Sequence, residues 1–261
     1  MQLQYWVVDA FTDRIFAGNP AAVVLLESPL PVSLMRSIAA ENNLSETAFA
    51  VKGAEQWQLR WFTPTVEVDL CGHATLATAF VMRQQGFEPP FQFRTRSGLL
   101  SAEAQDELIV LDFPARTHKE IAPPAGLMEA LRDAPVSVLQ SADMIAVLRS
   151  AEAVRDVRPD IDRIARLPGG ALIVTAAGGR GNADITSRYF APRYGIAEDP
   201  VTGSLHTQVV PYWARVLGRT TLACHQASPR GGTVQCELRA DRVRMAGAAA
   251  LYASGTIHLR G

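Results

Sequence analysis

The sequence predicts an α/β (α+β) chain made of two similar halves. Three observations carry that expectation. Alternating apolar segments of strand length recur along the chain. Two helical patterns begin at a glycine, Gly72 and Gly203. The segments around those glycines return in the same order in both halves, as in an internal repeat. Trp61-Phe62-Thr63-Pro64 returns as Tyr189-Phe190-Ala191-Pro192. The helix from Gly72 to Gly86 returns as the one from Gly203 to Gly218. Arg96-Ser97-Gly98 with a strand at 107–112 returns as Arg230-Gly231-Gly232 with a strand at 241–246. The halves are placed at 1–117, completed by a strand near 253–261, and at 118–252. Such a pseudo-twofold chain is expected to bind a small ligand in the cleft between its halves.

In order, a strand over 4–9 leads to the Gly18-Asn19-Pro20 turn and a second strand, Ala21 to Leu26. Pro31 opens a helix with Leu34, Met35, Ile38 and Ala39 on one face, stopped by Asn42-Asn43. Strands follow at Leu44 to Val51, with Glu46 in mid-strand, and at Trp57 to Phe62. The helix after Gly72 ends near Gly86, and strands come at 91–94 and 107–113. In the second half, 124–131 and 160–167 read as helices and 171–176 and 183–190 as strands. Pro211 lies within the helix after Gly203 and is expected to kink it or shift its start. Strands at 221–225, 233–239, 243–246 and 255–259 close the chain.

The composition excludes several function classes. Of 261 residues, 48% are hydrophobic and 20% charged, enough for a sizeable core. A net charge of −1 offers nucleic acid or an anionic membrane no attraction. No apolar run is long enough to span a bilayer, and Met1 to Trp6 do not read as a signal peptide. Three unpaired-looking cysteines fit a cytoplasmic protein, and no metal-ligand spacing appears.

The chemistry centres on the two glycine turns. A helix start presents backbone N–H groups without intrahelical partners, reinforced by the helix dipole, and so suits a carboxylate. Gly72 and Gly203 are the positions that permit this, unless they are plain turns capped by His73 or Ser204. Glu46 is the proton carrier if it faces the ligand, since desolvation raises a carboxyl pKa toward the working range. On strand alternation alone it can equally face solvent. His73 should be a neutral imidazole beside a positive helix end, able to orient or relay a proton. Asp199 can hold that imidazole, or simply start a turn. Ser204 can donate to a substrate oxygen or cap its helix. Cys71 reads either as a thiolate base or, more simply, as a small buried hydrophobe. Gly18, Asn19, Pro20, Thr202, Arg230 and Gly231 are the candidate substrate contacts. His206 falls one turn inside its helix. His118, His225 and His258 are taken as structural.

The pieces Gly18-Asn19-Pro20, Asn43-Leu44-Ser45-Glu46-Thr47, Phe62-Thr63-Pro64, Asp69-Leu70-Cys71-Gly72-His73-Ala74-Thr75, Phe190-Ala191-Pro192 and Asp199-Pro200-Val201-Thr202-Gly203-Ser204 resemble, in order and over essentially the whole chain, the PhzF-like family of phenazine-biosynthesis-type isomerases. The resemblance implies the diaminopimelate epimerase-like fold, with a mostly antiparallel sheet curled around a central helix in each half. It also implies a cofactor-free isomerase acting on a small anionic carboxylate, and a homodimer. In that scheme Glu46 matches the general acid/base, and His73, Asp199 and Ser204 match its polar support. Two departures stand out. The related epimerases carry a cysteine at each helix start, whereas here the second position falls on Thr202 or Pro200. Gln226-Ala227 stands where the family often has Gln-Gly. An epimerase using Glu46 and Cys71 as unlike bases, or a ligand-binding protein without turnover, are the alternative readings.

Overall fold

The computed structural model describes residues 1–259. It divides by contacts into a unit of Met1–Asp112 with the C-terminal stretch from Ala246, and a unit of Phe113–Met245. The sequence places these divisions at 117/118 and 252/253. The end of the expected strand at 253–261 includes two residues, 260 and 261, outside the described residues.

The first unit contains β1 (Gln2–Ala10), β2 (Asn19–Leu26), α1 (Val32–Asn42), β3 (Glu46–Val51), β4 (Trp57–Phe62), β5 (Glu67–Val68), α2 (Gly72–Gln84), β6 (Phe91–Thr95), β7 (Gly98–Gln105) and β8 (Leu108–Pro114). The second contains β9 (Lys119–Glu120), α3 (Leu127–Leu131), β10 (Ser137–Gln140), β11 (Met144–Val147), α4 (Ala151–Asp156), α5 (Ile161–Ile164), β12 (Leu172–Ala177), β13 (Ile185–Ala191), β14 (Ile196–Asp199), α6 (Gly203–Leu217), β15 (Thr221–Gln226), β16 (Gly232–Arg239) and β17 (Arg242–Gly247). The last strand, β18 (Ala249–His258), returns to the first unit and lies antiparallel to β1.

Both units use one pairing pattern. In the first, β1 pairs antiparallel with β2, β2 parallel with β3, β3 antiparallel with β4, β4 parallel with β6, and β6 antiparallel with β7. In the second, β10, β11, β12, β13, β15 and β16 repeat this series step for step. Even the short strands match. β5 takes the second half of β4, as β14 takes the second half of β13. Peeling that half away from the main ladder leads the chain into the start of the following helix. The repeat read from the aromatic-Phe-x-Pro segments is thus a repeat of strand pairing.

Each unit buries a central helix. α2 packs on β1, β2, β3, β7 and β18, and α6 on β12, β15 and β16. From His73 to Met82, α2 is buried on nearly every side, and its small side chains permit this close packing. Thr75 and Thr78 remain satisfied in that apolar setting by donating their hydroxyls to the Cys71 and Ala74 carbonyls, at 2.6 and 2.7 Å. On the other face of the first sheet, α1 contributes Met35, Ile38 and Ala39 to a core with Phe49 and Phe62. Asn43 ends α1 in the left-handed conformation at φ 48°, as its residue type foretells.

The structure corrects three expectations. Glu46 is the first residue of β3, not its middle, because β2 and β3 pair only from Ala21 and Glu46 onward. Pro211 does not shift the start of α6, which begins at Gly203 and runs through it. The Thr207 carbonyl, which a non-proline residue 211 would have bonded, instead accepts the Arg116 N–H at 2.9 Å. Finally, β7, β10, β11 and α4 fall where the pattern assigns nothing. β7 is mostly exposed and buries only Ala102 completely, so it shows little alternation. The others are too short for a period to register.

An arginine–glutamate clamp ties each short strand to its long neighbour. Arg60 on β4 holds Glu67 on β5 through two hydrogen bonds of 2.7 Å, and Arg188 on β13 holds Glu198 on β14 at 2.7 and 2.9 Å. The Glu67 side chain is only 4% exposed, and Arg96 approaches it at 3.2 Å. The Arg60 hydrogen bonds hold its carboxyl below the ordinary glutamate value. Stability from this clamp is therefore complete above pH 4.5 and disappears as pH falls through the lower folded value. Urea titrations between pH 6 and 3 should show that loss in the natural chain and a shallower one in Glu67→Gln.

Candidate active site

In the first unit, three separate elements bring Asn19, Glu46 and His73 together. Asn19 opens β2, Glu46 opens β3, and His73 is the second residue of α2. The His73 Nε2 lies 3.0 Å from Glu46 Oε2, close enough to pair with it as an ion when the ring is protonated. On its other side, Nδ1 lies 3.2 Å from Asn19 Nδ2 and 3.5 Å from Cys71 Sγ. With the amide nitrogen of Asn19 toward Nδ1, the neutral ring carries its proton on Nε2, facing Glu46. Asn19 is fully buried and His73 nearly so, while the Glu46 side chain is 12% exposed. The carboxylate is therefore the reachable end of the relay.

The electrostatics reverse the expected state of His73. Burial opposes its charge, but the Cys71 sulfur and the Glu46 carboxylate outweigh that and hold its pKa well above the ordinary value of 6.5. The expected depression by the helix end loses to an anion in direct contact. Cys71 is likewise no activated thiolate: burial and Glu46 push its thiol up. Stability from the His73–Glu46 pair is present below pH 6.5 and is lost as pH rises through the folded pKa. An NMR titration of the His73 ring should place its midpoint above 6.5 and bring it down in Glu46→Gln.

Gly18 shapes the approach to Asn19. Its φ is +62°, and a Cβ there would run into the Ala10 carbonyl and the Thr12 methyl. Gly18 is thus a backbone requirement, and Pro20 follows within β2. Neither Gly72 nor Gly203 is part of a side-chain cap. Cys71 and Thr202 are the N-cap residues, and neither makes a side-chain cap bond. The expected capping by His73 or Ser204 is absent.

In the second unit, the turn before α6 is held by a polar network. The Thr202 hydroxyl donates to Asp199 Oδ2. Gln226 Oε1 accepts the Thr202 N–H at 2.8 Å, and Gln226 Nε2 donates to the Asp199 carbonyl at 2.8 Å. Ser204 is exposed beside them. The loop with Arg230 and Gly231 is tied to the same turn through Ser228, whose hydroxyl donates to the Pro200 carbonyl at 2.8 Å and accepts the Gly231 N–H at 3.1 Å. His206 is a structural histidine. It donates from Nδ1 to the Thr202 carbonyl at 2.9 Å, and burial lowers its pKa to about 4.

Matching the two units element by element puts Thr202, not Pro200, opposite Cys71 in the repeat, since each is the N-cap of its central helix. The second helix start therefore bears a hydroxyl where the first bears a thiol. The sequence reading missed Gln226, noted only as part of a loop, and Gln208. The latter bonds Asp143 Oδ2 and the Ser204 carbonyl at 2.8 and 3.3 Å, and so anchors the first turn of α6. Its signal was a glutamine on the apolar face of a helix, four residues after Ser204.

The chain is similar to known proteins over nearly its whole length. The model of the phenazine biosynthesis-like protein family (PhzC-PhzF) matches residues 8–255. The chain is 50% identical to an uncharacterized isomerase of Pseudomonas aeruginosa, over 99% of this chain and all of that one. A PhzF-family phenazine biosynthesis protein of Enterococcus faecalis superposes with a TM-score of 0.97 at 43% identity, covering 99% of this chain and 100% of that one. A hydroxyproline epimerase of Agrobacterium vitis shares the fold alone, with a TM-score of 0.62 at 10% identity over 98% of this chain and 92% of that one. The chain belongs to the phenazine biosynthesis-like (PhzC-PhzF) family, among its isomerases.

Proposed function

We propose that the chain moves a proton between two carbons of a small carboxylate substrate without a cofactor, with Glu46 as general acid/base. One observation supports this most: a carboxylate on a partly exposed side chain, with one buried oxygen 3.0 Å from the Nε2 of a buried imidazole at the start of a central helix. Glu46 takes a proton from a carbon activated by the substrate carboxylate, and the electron pair passes into an enolate-like system. Glu46, whose carboxyl proton exchanges with solvent, then delivers a proton to a second carbon. Atoms and charge balance without any other reactant. His73, with Nε2 3.0 Å from Glu46 Oε2, keeps the carboxyl aimed while it waits for substrate. Helix-start dipoles favour the substrate carboxylate and the charge that develops. Within the second unit, the turn at Asp199, Thr202, Gly203 and Ser204 and the loop at Arg230 and Gly231, joined through Ser228, are the proposed substrate contacts.

The substrate class is open to a direct trial. Thermal-shift screening of cyclic and unsaturated carboxylic acids, followed by NMR of each hit in heavy water, should find a ligand that gains solvent deuterium at one carbon. Tight binding of such acids with no exchange would indicate a binding protein. Exchange that depends on Cys71 would indicate an epimerase with unlike bases.

A further inference from the structure

We infer that Glu46, Cys71 and His73 also form a site for a borderline-soft divalent cation, Zn²⁺ or Co²⁺. This inference needs only the geometry and does not rest on the isomerase reading. One ligand atom from each residue, a carboxylate oxygen, a sulfur and a ring nitrogen, lies within 4.8 Å of the others. His73 Nε2 is 3.0 Å from Glu46 Oε2 and 4.0 Å from Cys71 Sγ. With zinc–sulfur bonds of about 2.3 Å and zinc–nitrogen or –oxygen bonds of about 2.0–2.1 Å, tetrahedral ligand atoms sit roughly 3.4–3.6 Å apart. Placing an ion on all three therefore requires shifts of about half an ångström in the two pairs that involve His73, and closing the carboxylate–sulfur pair from within 4.8 Å to about 3.6 Å.

Charge and donor type select the ion. The helix start disfavours a cation, but the Glu46 carboxylate and a Cys71 thiolate together cancel a double positive charge. A mixed sulfur, nitrogen and oxygen set suits zinc or cobalt, not magnesium or calcium, which take oxygen ligands. Cys71 and His73 are fixed by α2, and Glu46 by β3, so two rigid elements frame the site. The metal-bound ring keeps its proton on Nδ1, where Asn19 can accept it by presenting its amide oxygen, an orienting partner of the kind metal-bound histidines have. A fourth position is left for water or a ligand oxygen. Binding expels the Cys71 proton and, from an imidazolium, the His73 Nε2 proton as well. Affinity must therefore rise with pH. An ion on Glu46 and His73 would occupy the atoms proposed for proton transfer, so such metals should inhibit competitively.

Cobalt titration of the full chain tests this. The expected result is a thiolate-to-cobalt charge-transfer band that saturates at one ion per chain, is displaced by Zn²⁺, and is accompanied by proton release. The band should vanish in Cys71→Ala and persist in Cys224→Ser and Cys236→Ser. Glu46→Gln should retain the band with affinity weakened by more than the roughly 10–100-fold that loss of an outer-shell partner costs. Circular dichroism confirms that each variant is folded. A folded natural chain without the band, or a band that survives in Cys71→Ala, would overturn the proposal.

Discussion

Replacing Glu46 by Gln should lower turnover by about 10²–10⁴-fold while leaving the fold and ligand affinity nearly unchanged. The amide keeps the shape and the acceptor oxygen toward His73 Nε2 but cannot take up a proton. The isosteric change removes one ion pair but no core packing, because Glu46 lies outside the packed cluster of Phe49 and Phe62. The same change removes the anion that supports the imidazolium, so His73 becomes neutral over more of the working pH range. Initial rates on any turned-over acid, together with its binding constant for both proteins, check this. A large loss of affinity with unchanged turnover would make Glu46 a binding residue instead.

Gly18→Ala should destabilise the chain by roughly 2–4 kcal/mol, from overpacking and from forcing an L-residue into the left-handed region. The new Cβ would press on the backbone carbonyl of Ala10, at the end of β1, which cannot swing aside as a flexible side chain could. β1 and β2 pair Ala10 with Asn19 next to this point, so relief of the clash must shift Asn19. The variant should thus have a lower urea midpoint and a displaced His73 ring resonance. Gly86→Ala is the control. Its φ is +82° but open space surrounds it, so only the backbone cost of about 1 kcal/mol applies.

Much of the fold was legible because its repeat is written in local chemistry. The aromatic-Phe-x-Pro segments mark β4 and β13, and the glycines mark the starts of the two central helices. Asn43 and Gly218 stop their helices in the left-handed conformation, as their residue types predict. What stayed hidden depends on contacts far apart in sequence. Nothing local says that Arg116 satisfies the carbonyl freed by Pro211, or that the exposed strand β7 pairs between β6 and β8. The site divides the same way. Residue type pointed to Glu46, His73 and Asn19, yet their contact, and hence the charge on His73, exists only once β2, β3 and α2 are packed. The sequence also left the counterpart of Cys71 open between Thr202 and Pro200, and helix capping places it at Thr202.

The claim that Glu46 carries the proton is tested most directly by deuterium incorporation into a bound carboxylic acid in heavy water, followed by NMR for the natural chain, Glu46→Gln and Cys71→Ala. The account predicts exchange in the natural chain and in Cys71→Ala, and none above background in Glu46→Gln. Full exchange in a folded, ligand-bound Glu46→Gln protein would contradict it.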